Sequence, residues 1–267
     1  MYTLQKKIYI RLAPLIDIVL KSIGKNIYAK LYGRRLYYDT KTDVGNKILY
    51  VGNFERAELS IINKIIKEDS VIFDIGANIG THSVPMALKA KYGKIFSFEP
   101  AKQTYQFLLK NISKIKNIYP VLLAISDRSG TATFHNASDN AYSGINITGK
   151  KPIVDTENVI TISIDDFIDL QKISKLDFVK IDVEGHEQQV INGATKTLQK
   201  LRPVILIEIC EDLKNGVNPQ KLIKQIIDFK YKAYTISGWN IVSYTNTNSK
   251  DYNYLFIPSE LNFDPTK

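Results

Sequence analysis

A chain of 267 residues is long enough for one large domain or two small ones. Its 44% hydrophobic and 24% charged residues exclude wholesale disorder. Lys and Arg exceed Asp and Glu by 36 to 27, giving a net charge of +9 that suits an anionic partner. The lysines are scattered, however, and a scattered excess also reads as solvated surface. The single cysteine, Cys210, lies in an apolar run and fits a reducing compartment. No apolar span reaches bilayer length and no signal-peptide cleavage pattern is visible, so a cytoplasmic location is expected.

In chain order, "LQKKIYIRLAPLIDIVLKSIGKNIYAKLYG" has apolar residues at helical spacing with Lys and Arg between them. Such a helix, kinked at Pro14, either packs on the main domain or lies peripherally on an anionic membrane surface. "RRLYYDT" and "NKILYVG" alternate like a hairpin around residues 40–45. Residues 1–60 therefore read as a helical and hairpin extension, and residues 61–267 as the main domain. "ERAELSIINKIIKE" has helical period. From residue 71 strands and helices alternate: "SVIFDIG", "THSVPMALKAK", "KIFSFEP", "KQTYQFLLKNISKI" and "IYPVLLAIS". Residues 127–160 are irregular and rich in turn signals. "SIDDFIDL" helix, "LDFVKIDVEG" strand, "EQQVINGATKTLQKL" helix, "RPVILIEI" strand and "PQKLIKQIIDFKY" helix follow, and "KAYTISGWNIVSY" and "YNYLFIPS" close the chain as strands.

The strands are nearly continuous apolar runs, which implies helices on both faces of a mostly parallel, doubly wound α/β sheet. Ligands of such sheets bind beyond the carboxyl ends of the strands. Acids stand at those ends: Asp74, Glu99, Asp182 and Glu208. Asp74, Gly76, Asn78 and Gly80 occupy the turn after the first central strand, where glycines permit positive φ and close ligand approach. A pyrophosphate would want no acid there, whereas a ligand with a cation would. Glu99 ends the next strand, where a carboxylate can accept hydrogen bonds from both ribose hydroxyls. A nucleoside carrying a positive group fits both, which points to S-adenosyl-L-methionine, with S-adenosyl-L-homocysteine as product.

Three blocks, "GNFERAEL", "VIFDIGANIGTHS" with "FSFEP", and "LDFVKIDVEGHEQQVINGATKTLQKLRPVILIEI", resemble the FkbM-type methyltransferases. The resemblance covers residues 38–208 and implies a Rossmann-like, seven-stranded fold of the class I methyltransferase type. It implies that Asp74, Gly76, Asn78 and Gly80 line the cofactor, that Glu99 holds the ribose, and that Ile125, Ser126 and Asp127 pass the adenine. Ser126 and Asp127 also read as a plain turn. By the same resemblance Glu55 folds over the methionine end, or else caps a helix after Asn53.

Asp182, Glu184 and His186 are the candidate catalytic residues. Asp182 would sit beside the sulfonium, contacting the cofactor as well, and would orient the acceptor or take its proton. His186 is either a base with a suitable pKa or a helix-start histidine. Glu187 falls at a helix N-terminus, where an acid is favourable in any case. His82 reads as structural. Asp182, Glu184 and Glu208 offer oxygen ligands, yet carboxylates facing a sulfonium need no ion, so no metal is expected. "DVEG" stands where amino methyltransferases carry an N/D-P-P-Y/F turn, which favours oxygen as acceptor and, by the resemblance, a saccharide or glycan hydroxyl. Two alternatives are an RNA methyltransferase, which the few lysines near the site disfavour, and a binding module that keeps the fold without the chemistry. Specificity is expected from residues 127–160 and from the last strands, where Trp239 and tyrosines would stack on a sugar or fill the core.

Overall fold

A strand that is apolar at every position must be covered on both faces, and the computed structural model meets that demand with helices on either side of one sheet. It describes residues 28–39, 42, 44–45, 56–209, 218–237, 240–245 and 253–266. The hairpin comes first: β1 (Tyr28–Leu31) and β2 (Arg34–Tyr37) turn over Tyr32 and Gly33, both at positive φ. Strand β2 falls within "RRLYYDT", but the other arm of the hairpin expected around residues 40–45 lies outside the described residues; Tyr28–Leu31, expected in a helical segment, is a strand. Residues 1–27, "NKILYVG" and Cys210 lie outside the described residues.

Helix α1 (Arg56–Ile65) leads into β3 (Val71–Ile75), α2 (Ser83–Lys89), β4 (Lys94–Phe98) and α3 (Lys102–Ile112). "IYPVLLAIS" divides into β5 (Ile118–Val121) and β6 (Ala124–Ser126), which belong to different sheets. The stretch expected to be irregular is instead an antiparallel pair, β7 (Gly130–Ala137) and β8 (Ile153–Ser163), which with β6 forms a three-stranded sheet in the order β6-β8-β7. Its hydrophobic signal is hidden because most of residues 153–158 are exposed on both faces. A short 3-10 turn (Asn140–Tyr142) sits between the two strands.

Helix α4 (Ile164–Gln171) starts where Ser163 Oγ accepts from Asp166 N at 2.9 Å, with Asp165 and Asp166 in its first turn, and stops at Lys172 in the left-handed region. Strand β9 (Phe178–Ile181) follows. The single helix expected over "EQQVINGATKTLQKL" is two, α5 (Glu187–Asn192) and α6 (Thr195–Lys200). They part at Gly193, where a Cβ would stand 2.2 Å from the carbonyl oxygen of Ser126. Close backbone approach, not turn propensity, selects that glycine. Strand β10 (Val204–Glu208), helix α7 (Pro219–Asp228) and strands β11 (Tyr231–Ser237), β12 (Asn240–Ser243) and β13 (Asn253–Pro258) complete the chain. α7 is capped by the Asn218 side chain and carries Pro219 in its first turn.

The main sheet runs β12-β11-β13-β10-β9-β3-β4-β5. The neighbours from β10 to β5 are parallel, whereas β13 is antiparallel to both β10 and β11, and β12 is antiparallel to β11. Among the described residues the sheet is therefore mixed and eight-stranded, and the seven-stranded expectation is corrected. The closing aromatic stretch folds back on itself, and its second arm, β12, adds a largely exposed edge. Strand β13 is covered on both faces, with Leu255, Phe256 and Ile257 fully buried. On one face Phe73, Phe98 and Phe167 meet edge to face at centroid separations of 4.8 to 5.6 Å. On the other, Leu36, Tyr38 and Ile62 from the N-terminal elements share a core with Ile72, Ile95 and Phe178.

Candidate functional site

The parallel strands β4, β3 and β9 end side by side, and the turn after β3 is built to hold that junction open. Gly76 N and Ala77 N donate to Phe98 O at 3.0 and 2.9 Å, while Asp182 N donates to Ile75 O at 3.0 Å. At φ +77, Gly76 has no room for a side chain, since a Cβ would lie 1.8 Å from Asp182 O. Asn78 follows at φ +49, its Oδ1 accepting from Ile79 N at 2.8 Å. Gly80, at φ +91, presses instead toward α3, where Leu108 Cδ1 would meet a Cβ at 3.0 Å.

Beyond this junction lies a cavity of about 500 Å³, a size suited to a nucleoside-like ligand. One end is apolar, walled by Leu123, Ala124, Ile125, Phe134 and Ile145. The other end is polar, with His82, Lys180, Asp182, Glu184 and Glu208. Glu99 is also in the wall, after β4. Its Oε2 accepts from Asn78 N at 3.0 Å and its Oε1 from Ala101 N at 2.9 Å. Burial pushes this carboxyl up to about 7, against the pull of those two N–H groups.

Asp74 and Gly80 do not line the cavity. Asp74 is fully buried beneath the turn, its Oδ2 accepting from Ser83 Oγ at 2.5 Å, and Ser97 Oγ donates in turn to Ser83 Oγ at 2.8 Å. Asp74 Oδ1 is buried with no hydrogen-bond partner among the described residues, so the acid acts from below the turn and holds one acceptor in reserve.

On the polar side, Lys180 Nζ donates to Asp182 Oδ2 at 2.9 Å. Burial works to raise the Asp182 carboxyl, but the Lys180 charge and hydrogen bond outweigh it and hold the carboxyl below its ordinary value. Glu184 sits at φ +48, followed by Gly185 at φ +93, which turns the chain sharply after β9. Burial, helped by the Asp182 charge, raises the Glu184 carboxyl, although Lys150 Nζ lies 2.9 Å from its Oε2. Fully buried Glu187 accepts from Gly185 N at 2.8 Å through Oε1, and burial pushes its carboxyl up to about 8. Asn146 Nδ2 also donates to Gly185 O, tying the β7–β8 segment to this turn.

His186 lines the cavity and is 6% exposed. Its Nε2 lies 2.9 Å from Ser126 Oγ, a contact whose direction follows the imidazole tautomer, and Ser126 Oγ donates to Asp127 Oδ1 at 3.2 Å. Burial brings its pKa down to about 4, so the imidazole is neutral at physiological pH. Ile125 is in the wall, whereas Ser126 and Asp127 stand behind it. The structure adds one pair that the sequence reading passed over. His82, taken as structural, is in the cavity wall, and its Nε2 lies 3.1 Å from Glu58 Oε2 on α1, both side chains being buried. No local spacing links the two residues, because the contact is made only when α1 packs on α2. Glu55, Gly52, Phe54 and Trp239 lie outside the described residues.

Residues 74–234 match the methyltransferase FkbM domain. The chain belongs to the FkbM methyltransferase family. Hexuronic acid methyltransferase AglP of Haloferax volcanii is 31% identical over 179 residues, covering 66% of this chain and 70% of that protein. The 2-O-methyltransferase NoeI of Sinorhizobium fredii is 26% identical over 181 residues, covering 62% and 74%. Among solved structures, an FkbM methyltransferase from Methylobacillus flagellatus KT superposes with a TM-score of 0.47 at 16% identity, covering 71% of this chain and 44% of that one. As an FkbM methyltransferase the chain is an enzyme, and use of S-adenosylmethionine goes with the family. The geometry fits that cofactor on its own terms. The cavity sets apolar walls beside the Glu99 carboxylate, and Gly76 lets the turn after β3 close onto the Asp182 backbone at the cavity's edge.

Proposed function

We propose that this FkbM methyltransferase transfers the methyl group of S-adenosylmethionine to a hydroxyl of a saccharide. The observation that carries the reading is the division of one cavity into an apolar end, a central Glu99 and a polar end held by Lys180 and Asp182. When bound, the cofactor supplies an electrophilic methyl on a positively charged sulfur. Glu99 would accept the ribose hydroxyls, and Ile125 with its apolar neighbours would enclose the adenine. Asp182, kept ionised by Lys180, would face the sulfonium and orient the acceptor hydroxyl, whose proton must leave as the new C–O bond forms. Glu184 would hold a second acceptor hydroxyl. For His186, the hydrogen bond to Ser126 and a pKa of about 4 favour a wall residue over a base, since an imidazole that weak takes a proton poorly near neutrality.

Two observations support a sugar acceptor. The 3-10 turn between β7 and β8 brings Asn140, Tyr142 and Ser143 to the cavity, a ring and polar groups of the kind that grip a carbohydrate. The names of the two relatives, a hexuronic acid methyltransferase and a 2-O-methyltransferase, point the same way. The test is an acceptor screen with uronic acid glycosides, neutral hexosides and RNA, reading S-adenosylhomocysteine release and the mass of the product. A methyl ether on a sugar is expected, lost in Asp182→Ala while that variant still binds S-adenosylhomocysteine. Methylation of RNA alone would replace the saccharide reading, and failure of the folded protein to bind the cofactor would remove the enzymatic one.

A further inference from the structure

Where β4 and β5 begin, at the strand ends remote from the cavity, the end of α2 and the loop after α3 gather exposed cations around Tyr92. The β1–β2 hairpin is clasped to the last turn of α3, where Tyr37 N donates to Asn111 Oδ1 at 2.7 Å and Asn111 Nδ2 donates to Tyr37 O at 2.9 Å. The loop after α3 is clasped in turn to the end of α2, with Asn117 Nδ2 donating to Ala87 O and Ala90 O at 3.0 and 2.8 Å. Each of these segments sets a cation against a ring. Arg35 Cζ is 4.7 Å from the Tyr28 centroid, Lys110 Nζ is 4.0 Å from that of Tyr37, and Lys91 Nζ is 5.0 Å from that of Tyr92.

Lys89, Lys94, Lys114 and Lys116 are exposed on the same segments. Among the described residues Glu68 pairs with Lys91 at 2.7 Å, while Asp69 and Asp177, at the starts of β3 and β9, pair with Lys175. Apolar surface is exposed among the charges: Tyr92 is 75% exposed, Leu88 42% and Tyr28 40%. The sequence leading into β1 continues the pattern, with Lys6, Lys7, Arg11, Lys21 and Lys25 between apolar residues.

Cations on long stems interleaved with amphipathic rings match a layer that is anionic at its surface and apolar just below. A polynucleotide would meet the charges and stack on the tyrosines, but it would leave Leu88 without an apolar partner. Helix α3 begins beside Glu99 and ends on this face, so an RNA held here would not present its sugar to Asp182. We propose that this face docks the protein on an anionic lipid surface, with Leu88 and Tyr92 entering the headgroup boundary and the lysines meeting lipid phosphates.

The test is flotation of the full chain with phosphatidylcholine vesicles, with and without phosphatidylglycerol, at low and high salt. Binding to the anionic vesicles alone, weakened by salt, is expected. Each lysine near such a surface contributes about fivefold, so Lys91→Glu, Lys114→Glu and Lys116→Glu combined should lower partitioning by roughly a hundredfold. Tyr92→Ser should lower it without changing the salt dependence. S-adenosylhomocysteine binding should be unchanged in both variants, which reports on folding and separates this proposal from the enzymatic one. Equal flotation of the triple variant and the wild type would overturn the proposal and assign the contact to residues 1–27. So would absence of flotation by the wild type, or preferential retention on RNA.

Discussion

Two buried carboxyls illustrate how single residues set the behaviour of the site. Glu187 is pushed up to about 8 from an ordinary 4.5, so the folded state binds a proton that the unfolded state releases. Stability from this group is present below about pH 4.5 and is lost as pH rises toward 8. Glu187→Gln keeps an acceptor for Gly185 N without the titration. It is expected to be more stable than the wild type at pH 8 by about 1 kcal/mol or more, and chemical denaturation should show the gap closing as pH falls toward 5. Were the gap independent of pH, Glu187 would be ionised when buried. In the proposed function Glu99 has the opposite significance for ligand binding, because its ionised form would accept the ribose hydroxyls. Its value of about 7 predicts that cofactor affinity weakens as pH falls from 8 to 6. Glu99→Ala should weaken S-adenosylhomocysteine binding by roughly ten- to a hundredfold at pH 8, the range for hydrogen bonds to a charged group, and should abolish the pH dependence in calorimetry. The position of Glu99 could be read in the sequence, as an acid closing an apolar strand before Pro100. Its pKa could not, because burial is a property of everything packed around it.

Among the elements, the hairpin and the β3 turn depend on few contacts. Asn111 on α3 makes three hydrogen bonds, to both backbone groups of Tyr37 and to Ile79 O at 2.8 Å. Asn111→Ala should cost about 2–4 kcal/mol, the sum of the groups left unpaired, and hydrogen exchange at Tyr37 should quicken more than in β9. If exchange in β2 is unchanged, the hairpin is held by its buried Leu36 and Tyr38 instead. Gly76→Ala meets both a backbone oxygen at 1.8 Å and a positive φ. A loss of at least about 2–3 kcal/mol, or failure to fold, is expected from that combination, with circular dichroism melting as the measurement. Periodicity located α1, α3, α4 and α7 and the four central strands well. It failed on β7 and β8, whose half-exposed residues do not alternate, and on the break at Gly193, which answers to the carbonyl of Ser126 on another element.

At the scale of the whole molecule, Glu99, Asp182, Glu184 and Glu208 gather at the cavity where the parallel strands end, and the lysines of the proposed lipid-facing surface lie where β4 and β5 begin. Occupation of the cavity should stabilise everything that meets there. With S-adenosylhomocysteine at a hundred times its Kd, about 2.7 kcal/mol of stabilisation is expected, a rise in Tm of roughly 5–10 °C. Glu99→Ala should show a much smaller rise at the same concentration, and an equal rise would place the ligand away from Glu99.

Local chemistry by itself determined which strands are buried on both faces, that acids close them, and that a glycine turn follows the first. Each of these follows from neighbours in sequence: apolar runs demand cover, and glycines permit positive φ where side chains do not. What only the tertiary structure decided is which groups meet. His82 lies against Glu58 because α1 packs on α2, and His186 lies against Ser126 because α5 packs on β6. Asp74 lies beneath the cavity and not in it, since the pleat that buries its neighbours also turns its side chain toward Ser83. These are distances between residues far apart in the chain, and no periodicity encodes them.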